Sequence, residues 1–234
     1  MTEQPAPETQ PSDTPAPKKT PVDTGPPGAG QKLREGLKFI LTVIILTTII
    51  RISIAEAYNV EMSSMEYTVL PGDTVLGNKF IYGARLPLIG IRLPAIREPR
   101  PGDVIVFNSP IEERTRLVKR VIAVAGQTVE IRDKQVFVDG EPVPYPEHAR
   151  PVNDTILSPL TSRRDNMGPA TVPAGNLFVM GDNRDISLDS RGWGFLDTDY
   201  VLARAMFVLY SWDGDRTRPF WSRIRWNRFG DAVR

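Results

Sequence analysis

A serine paired with a lysine is the combination through which this chain could carry out acyl transfer. The chain has no cysteine, which excludes a thiol nucleophile, a thiolate-bound metal and a disulfide framework. Its single histidine, His148, lies in the polar stretch PEHARP, which is typical of an exposed loop rather than of a catalytic triad. If the chain is a hydrolase, we therefore expect its general base to be a lysine.

A lysine serves as a general base only where burial lowers the pKa of its amine from about 10.4 towards neutrality. Lys119 lies in LVKRVIAVAG, and if this stretch is a strand it shares one face with Leu117 and Val121. Lys79 is the alternative base, and a buried stem whose amine reaches water is the non-catalytic interpretation of Lys119. Lys134 lies in the polar turn RDKQ, where we expect it to be solvated.

The elements that would position these residues begin with a tail and an apolar segment. Residues 1–36 contain eight prolines and almost nothing apolar, which predicts a disordered tail. Residues 37–57 include the uncharged run FILTVIILTTII and predict one transmembrane helix whose terminal basic side chains reach the headgroups. A cleavable signal peptide ending in AEA is the alternative, although the leader before it is long. Basic residues before the run and acidic residues after it place the tail inside and the remainder outside.

The remainder, residues 58–234, has the pattern of a mainly β domain. Short β-rich runs follow turns such as PGD and PAG, as in an antiparallel sheet or barrel. Residues 139–173 are polar and proline-rich, which predicts a loop or small insertion. The C-terminal stretch RPFWSRIRWNRFG fits either contact with lipid headgroups or edge packing with solvated arginines. The net charge of +1 gives no global field to attract nucleic acid.

Three stretches, together within residues 40–212, resemble the type I signal peptidases. SSMEYTVLPGDTVLGNKFIYG is similar to the nucleophile region of that family, and PGDVIVFNSP followed by RLVKRVIAVAG is similar to its general-base region. GDNRDISLDSRGWG resembles its most recognisable box. The resemblance implies a serine endopeptidase without a cofactor, held in the cytoplasmic membrane with its catalytic domain outside. It would remove signal peptides from exported preproteins, cutting after small residues in the pattern Ala-x-Ala.

Position by position, the resemblance makes Ser64 the nucleophile and Lys119 the general base. Ser187 would hydrogen-bond the Lys119 amine and orient it. Four further residues would support this dyad. Gly181 and Asp182 would form a turn beside the lysine, and Asp189 and Arg191 would form an ion pair behind the site. Six residues would line the shallow apolar pockets for small side chains, although any one of them fits ordinary β-core equally well: Val60, Met65, Val69, Val75, Val106 and Val118.

The aspartates of the third stretch could suggest a calcium site, but Arg184 lies where a calcium loop needs an oxygen ligand, so we expect no metal. Two positions depart from the family pattern: Tyr67 replaces a proline, and Met62 replaces a serine that commonly donates its hydroxyl to the oxyanion. The backbone amide of Ser64 remains the expected donor. The departures leave two alternatives, a protease specialised for a few exported proteins and an inactive, membrane-tethered β-domain that binds preproteins.

Overall fold

The computed structural model describes residues 29–53, 55–83, 93–112, 114–146, 149, 152–158 and 160–234. His148 and the predicted tail up to residue 28 lie outside this set. The described residues divide into two compact units, one ending at residue 43 and the other beginning at residue 44.

The first element is the helix α1, which extends from Ala29 to Ser53. It begins inside the predicted tail, so the predicted boundary at residue 36 is wrong; residues 32–35 are Lys, Leu, Arg and Glu, all strong helix formers. The predicted end of the apolar segment at residue 57 is also wrong, because residues 55–57 belong to a β-strand. Within the described residues, no helix is both long and apolar enough to cross a membrane.

Eleven strands follow in the described part of the chain. Their bounds are β1 (Ala55–Asn59), β2 (Asp73–Asn78), β3 (Val104–Asn108), β4 (Arg116–Val124), β5 (Thr128–Arg132), β6 (Gln135–Val138), β7 (Glu141–Pro142), β8 (Met167–Thr171), β9 (Asn176–Met180), β10 (Leu196–Asp197) and β11 (Val201–Ser211). The remaining helical elements are short: α2 (Ser190–Trp193) and 3-10 turns at Ser63–Met65, Phe80–Tyr82, Thr198–Tyr200, Phe220–Arg223 and Trp226–Arg228.

The strands form two antiparallel sheets. The larger has the order β1-β2-β11-β3-β4-β9-β10, and the smaller has the order β7-β6-β5-β8. The predicted antiparallel, mainly β domain is therefore confirmed. The predicted loop or insertion at residues 139–173 supplies β7 and β8, so part of it belongs to the smaller sheet.

Strand β4 is buried from Leu117 to Ala123. The register pairs Lys119 with Ile105 of β3, and Leu117, Val121 and Ile105 share one hydrophobic cluster. Val118, which points the other way, belongs to a different cluster. Because apolar side chains cover both faces of β4, any charged group in its centre is removed from water.

Candidate active site

Ser64 lies in the 3-10 turn Ser63–Met65, in the segment that joins β1 to β2. The turn is anchored by Met65, its last residue, which lies with the fully buried Val69 in one hydrophobic cluster. It is also held by a main-chain bond, since the amide of Asn183 donates to the Ser64 carbonyl oxygen at 3.0 Å. These contacts leave Ser64 7% exposed and fix the direction of its backbone.

Lys119, in the middle of β4, has no exposed surface, and its amine hydrogen-bonds the Ser64 hydroxyl. Burial lowers the pKa of the Lys119 amine to about 8; nearby Asp189 opposes this effect and Arg191 adds to it. At mildly alkaline pH a substantial fraction of the amine is therefore unprotonated. A neutral amine in contact with a serine hydroxyl has the geometry of a general base and its nucleophile.

The loop that follows β9 packs directly against this pair. A Cβ atom added to Gly181 would lie 2.6 Å from Ser187 Cβ and closer still to the Ser64 carbonyl oxygen, so only glycine fits there. The next residue, Asp182, accepts two hydrogen bonds of 2.7 Å from Arg120, which adjoins Lys119 in β4. Gly181 and Asp182 therefore connect this loop to the Ser64 segment and to β4.

Asp189 and Arg191 form a buried ion pair behind the dyad, with an Nη2 to Oδ2 distance of 2.8 Å. Burial alone would raise the pKa of Asp189, but the hydrogen bonds and charge of Arg191 hold it below its ordinary value. Asp189 also accepts a 3.0 Å hydrogen bond from the amide of Gly181. The ion pair therefore supports the loop that contacts Ser64.

Ser187 lies beside Gly181, next to the Ser64 backbone, but within the described part of the chain it does not form the hydrogen bond that the resemblance implies. Its hydroxyl is buried beside Gly181, but among the described residues it makes no hydrogen bond to the Lys119 amine. The amine's hydrogen bond goes to Ser64 instead.

Two clefts meet at Ser64. The first, of about 550 Å³, is lined by four of the six predicted pocket residues: Val60, Met65, Val106 and Val118. The second, of about 340 Å³, contains Lys119, Leu117 and Leu188 in its wall. Met62 lines both clefts and is 46% exposed.

Val69 and Val75 are not among the described residues that line these two clefts. Both are fully buried in the hydrophobic cluster that contains Met65. Alternation along a strand predicts the face on which a side chain lies, but not whether it reaches a cleft or stays in the core. The sequence therefore could not distinguish these two valines from the residues that line the clefts.

The predicted solvation of Lys134 is wrong. Its side chain is 8% exposed, and its amine donates to Asp185 at 2.8 Å and to the Asn153 carbonyl oxygen at 2.8 Å. Asp182, Asp185 and Asp189 each accept hydrogen bonds from a different cationic side chain.

Lys79 makes a 3.1 Å ion pair with Glu56 of β1. Tyr67, one of the two departures from the family pattern, is half-buried in the turn that follows Ser63–Met65.

Sequence reasoning missed Arg120, which links Asp182 to Thr68 in the nucleophile segment. The available signal was the pair Lys119-Arg120 within an otherwise apolar strand. Consecutive residues point to opposite faces, so a buried strand with two adjacent cations must provide a partner on each side.

Comparison with known proteins gives the same family as the three stretches of sequence. The family model described as "Signal peptidase, peptidase S26" matches residues 33–211. Signal peptidase I of Pseudomonas aeruginosa is 31% identical over 219 residues, which cover 80% of this chain and 76% of that protein. Signal peptidase I of Bacillus licheniformis is 32% identical over 181 residues, covering 76% of this chain and 89% of that protein.

A crystal structure of a signal peptidase I from Enterococcus faecalis V583 is 30% identical and covers 46% of this chain and 97% of its own, with a TM-score of 0.37. The family match spans most of the chain and includes both members of the buried serine–lysine pair. The chain therefore belongs to the signal peptidase family, peptidase S26, and is a serine endopeptidase that hydrolyses peptide bonds.

Proposed function

We propose that this chain removes N-terminal signal peptides from exported preproteins, with Ser64 as nucleophile and Lys119 as general base. One observation carries the proposal: the fully buried Lys119 amine hydrogen-bonds the Ser64 hydroxyl where two clefts meet. A buried lysine in contact with a serine has little structural advantage over an apolar residue, because burying an ammonium group is costly.

In the proposed reaction the neutral Lys119 amine takes the proton of the Ser64 hydroxyl as Oγ attacks the carbonyl carbon of the scissile bond. The resulting ammonium then donates that proton to the departing amine, which leaves an acyl-enzyme on Ser64. Lys119, neutral again, deprotonates a water molecule that hydrolyses the ester. That proton then passes from Lys119 to Ser64 Oγ as the ester breaks, which regenerates the serine and leaves Lys119 neutral at the end of each half of the cycle.

Oxyanion stabilisation in this scheme comes from the backbone amide of Ser64. A preorganised donor of this kind acts at the atom where negative charge develops. Met62, two residues earlier, cannot contribute because a thioether has no proton to donate.

The specificity for small side chains before the cut is also part of the proposal. The first cleft is lined by Val60, Met65, Val106 and Val118, whose apolar side chains favour small apolar residues in an extended preprotein. Cutting after Ala-x-Ala is the pattern that such a cleft would select.

For the location we propose a single-pass anchor within residues 37–53, the helical part of the predicted segment, with the residues before it in the cytoplasm and the β domain outside. The apolar run FILTVIILTTII and the basic residues before it support this orientation. Protease added outside intact cells should digest the β domain and spare the tail. A mature protein that begins near Tyr58 would contradict the retained anchor.

The function is tested by incubating the purified chain with several unrelated preproteins and sequencing the new N-termini, with Ser64→Ala as the inactive control. Cleavage of most of them after Ala-x-Ala is the expected result. Cleavage of one preprotein alone would support a specialised protease. Binding without cleavage would support an inactive binding domain.

A further inference from the structure

Residues 223–234, which we name the C-terminal brace, lie beyond the match to the family model, which ends at residue 211. The brace runs along the part of β11 that β3 leaves free, since β3 pairs with β11 only as far as Arg204. Three main-chain hydrogen bonds of 2.9 Å fasten it there, two to Val208 and one to Met206. The segment is therefore fixed to the central sheet.

From this fixed position two arginine side chains reach into the segment that carries the nucleophile. Arg228 Nη2 donates to the Thr68 carbonyl oxygen at 3.1 Å and to Asp73 Oδ2 at 2.6 Å. Arg225 Nη1 donates to the Pro71 carbonyl oxygen at 2.9 Å. These acceptors lie on the return from Ser64 into β2, so both arginines restrain that return. They are not the solvated arginines considered from the sequence.

The last two residues of the brace, Val233 and Arg234, contact residues that surround Ser64 and Lys119. Val233 is 4% exposed and belongs to the hydrophobic cluster that contains Val60 and Met65, which flank Ser64 in sequence. The carbonyl oxygen of Arg234 accepts a 2.7 Å hydrogen bond from Arg120, the neighbour of Lys119 and the partner of Asp182. The brace therefore touches the surroundings of both members of the dyad.

We propose that the C-terminal brace is a positioning element that holds the Ser64 turn against Lys119. The segment between β1 and β2 is long, and Arg225 and Arg228 supply hydrogen bonds to it from an independent, sheet-bound element. A displacement of about 1 Å at a reacting group can lower a rate about 100-fold, so such restraint has a direct effect on catalysis. The activity part of this proposal rests on the proposed function.

The test compares Arg228→Gln and Arg225→Gln with Arg218→Gln, the matched control. Arg218 lies just before the brace, and its ion pair is with Asp213 at the surface, where its side chain is 54% exposed. Both brace variants should lower kcat for preprotein cleavage about 10-fold or more with KM little changed, because the loss concerns the reacting geometry rather than binding. Arg228→Lys should recover part of the rate, since its amine keeps a donor and the charge facing Asp73.

Hydrogen exchange measured by mass spectrometry provides a readout that does not depend on activity. Amides of residues 61–73 should exchange faster in the two brace variants, while those of β3 and β4 should keep the wild-type rate. Faster exchange throughout the domain, or an unchanged kcat, would overturn the proposal in favour of a purely structural role. If the wild-type chain cleaves no preprotein, the proposed function fails, and the exchange data alone decide whether the brace holds the turn.

Discussion

The amide of Asn183 donates a 3.0 Å hydrogen bond to the carbonyl oxygen of Ser64, and this bond joins the loop after β9 to the nucleophile turn. It forms only because Gly181, two residues earlier, lets the two backbones come together. The same loop carries Asp182, which is tied to β4 through Arg120. The position of Ser64 therefore depends on close backbone packing as well as on its hydrogen bond with Lys119.

Gly181→Ala is expected to lower kcat about 100-fold, because the added methyl group would push the Ser64 backbone away from Lys119. The overpacking should also reduce the free energy of unfolding by about 1–3 kcal/mol. Steady-state kinetics with a preprotein and urea denaturation measure the two effects. Gly168→Ala is the control, since its added methyl group meets no atom within 4 Å. Wild-type kcat in Gly181→Ala would show that the turn tolerates the displacement.

Lys119→Arg should fold and bind preproteins but cleave essentially none of them. A guanidinium group stays protonated at any usable pH, so it cannot accept the Ser64 proton. Cleavage assays together with circular dichroism separate loss of chemistry from loss of fold. Lys79→Arg, which keeps the charge facing Glu56, should retain most of the activity. If Lys79→Arg were the inactive variant, Lys119 would not be the base.

The rate of cleavage should rise with pH and level off above about pH 8. The reaction needs the neutral amine, and burial lowers the pKa of Lys119 to about 8. Below that value the neutral fraction falls about tenfold for each pH unit, and kcat/KM should fall with it. A profile measured from pH 6 to 11 tests this. A rise that continues to the ordinary value of 10.5 would mean that the base is a solvated lysine.

Lys119→Met should be more stable than the wild-type chain at pH 7. The pKa of Lys119 is lowered on folding, so below pH 8 the folded chain bears the whole penalty of burying an ammonium group. That penalty disappears as pH rises from 8 to 10.5, because the folded chain is then neutral at this position. Lowering the pKa from 10.5 to about 8 corresponds to about 3 kcal/mol, which is the largest gain expected. Urea denaturation at pH 7 and pH 10.5 should give a gain at the lower pH only, and an equal gain at both would exclude charge burial as its cause.

Met62→Ser should preserve or raise kcat. Met62 is 46% exposed at the junction of the two clefts, so its replacement removes little buried surface. The new hydroxyl would offer a second hydrogen-bond donor to the oxyanion. In other enzymes, removal of one such donor lowers kcat about 100- to 1000-fold. Single-turnover kinetics of Ser64 acylation provide the measurement. A collapse of activity in a folded variant would identify Met62 as a substrate-contacting residue instead.

The sequence by itself predicted the chemistry of the site and showed which residues share a face of β4. The absence of cysteine and the polar, proline-rich stretch around His148 left lysine as the expected base. Alternation in LVKRVIAVAG placed Lys119 with Leu117 and Val121, and β4 buries this face. The placement of Lys119 succeeded because the two-residue period of a strand is a property of the backbone, which any short stretch of sequence carries.

The boundaries of the secondary-structure elements were predicted less well from the sequence. Hydropathy alone continued the apolar segment to residue 57, whereas residues 55–57 pair with β2. Local propensity cannot anticipate that outcome, because pairing with a distant strand overrides it. Lys134 is a similar case. Its polar turn predicted a solvated side chain, but the ion pair with Asp185 buries that side chain.

Only the tertiary structure decided which distant groups meet. It brought Ser64 to Lys119, placed Val69 and Val75 beneath the clefts, and set Arg228 against Asp73. Each of these contacts depends on the order of the strands and on the path of the segments between them. Strand order depends on the burial of whole sheet faces and on the pairing of whole strands. The free energy that favours a given contact therefore comes from many residues of the sheet, and the two residues in contact do not reveal it.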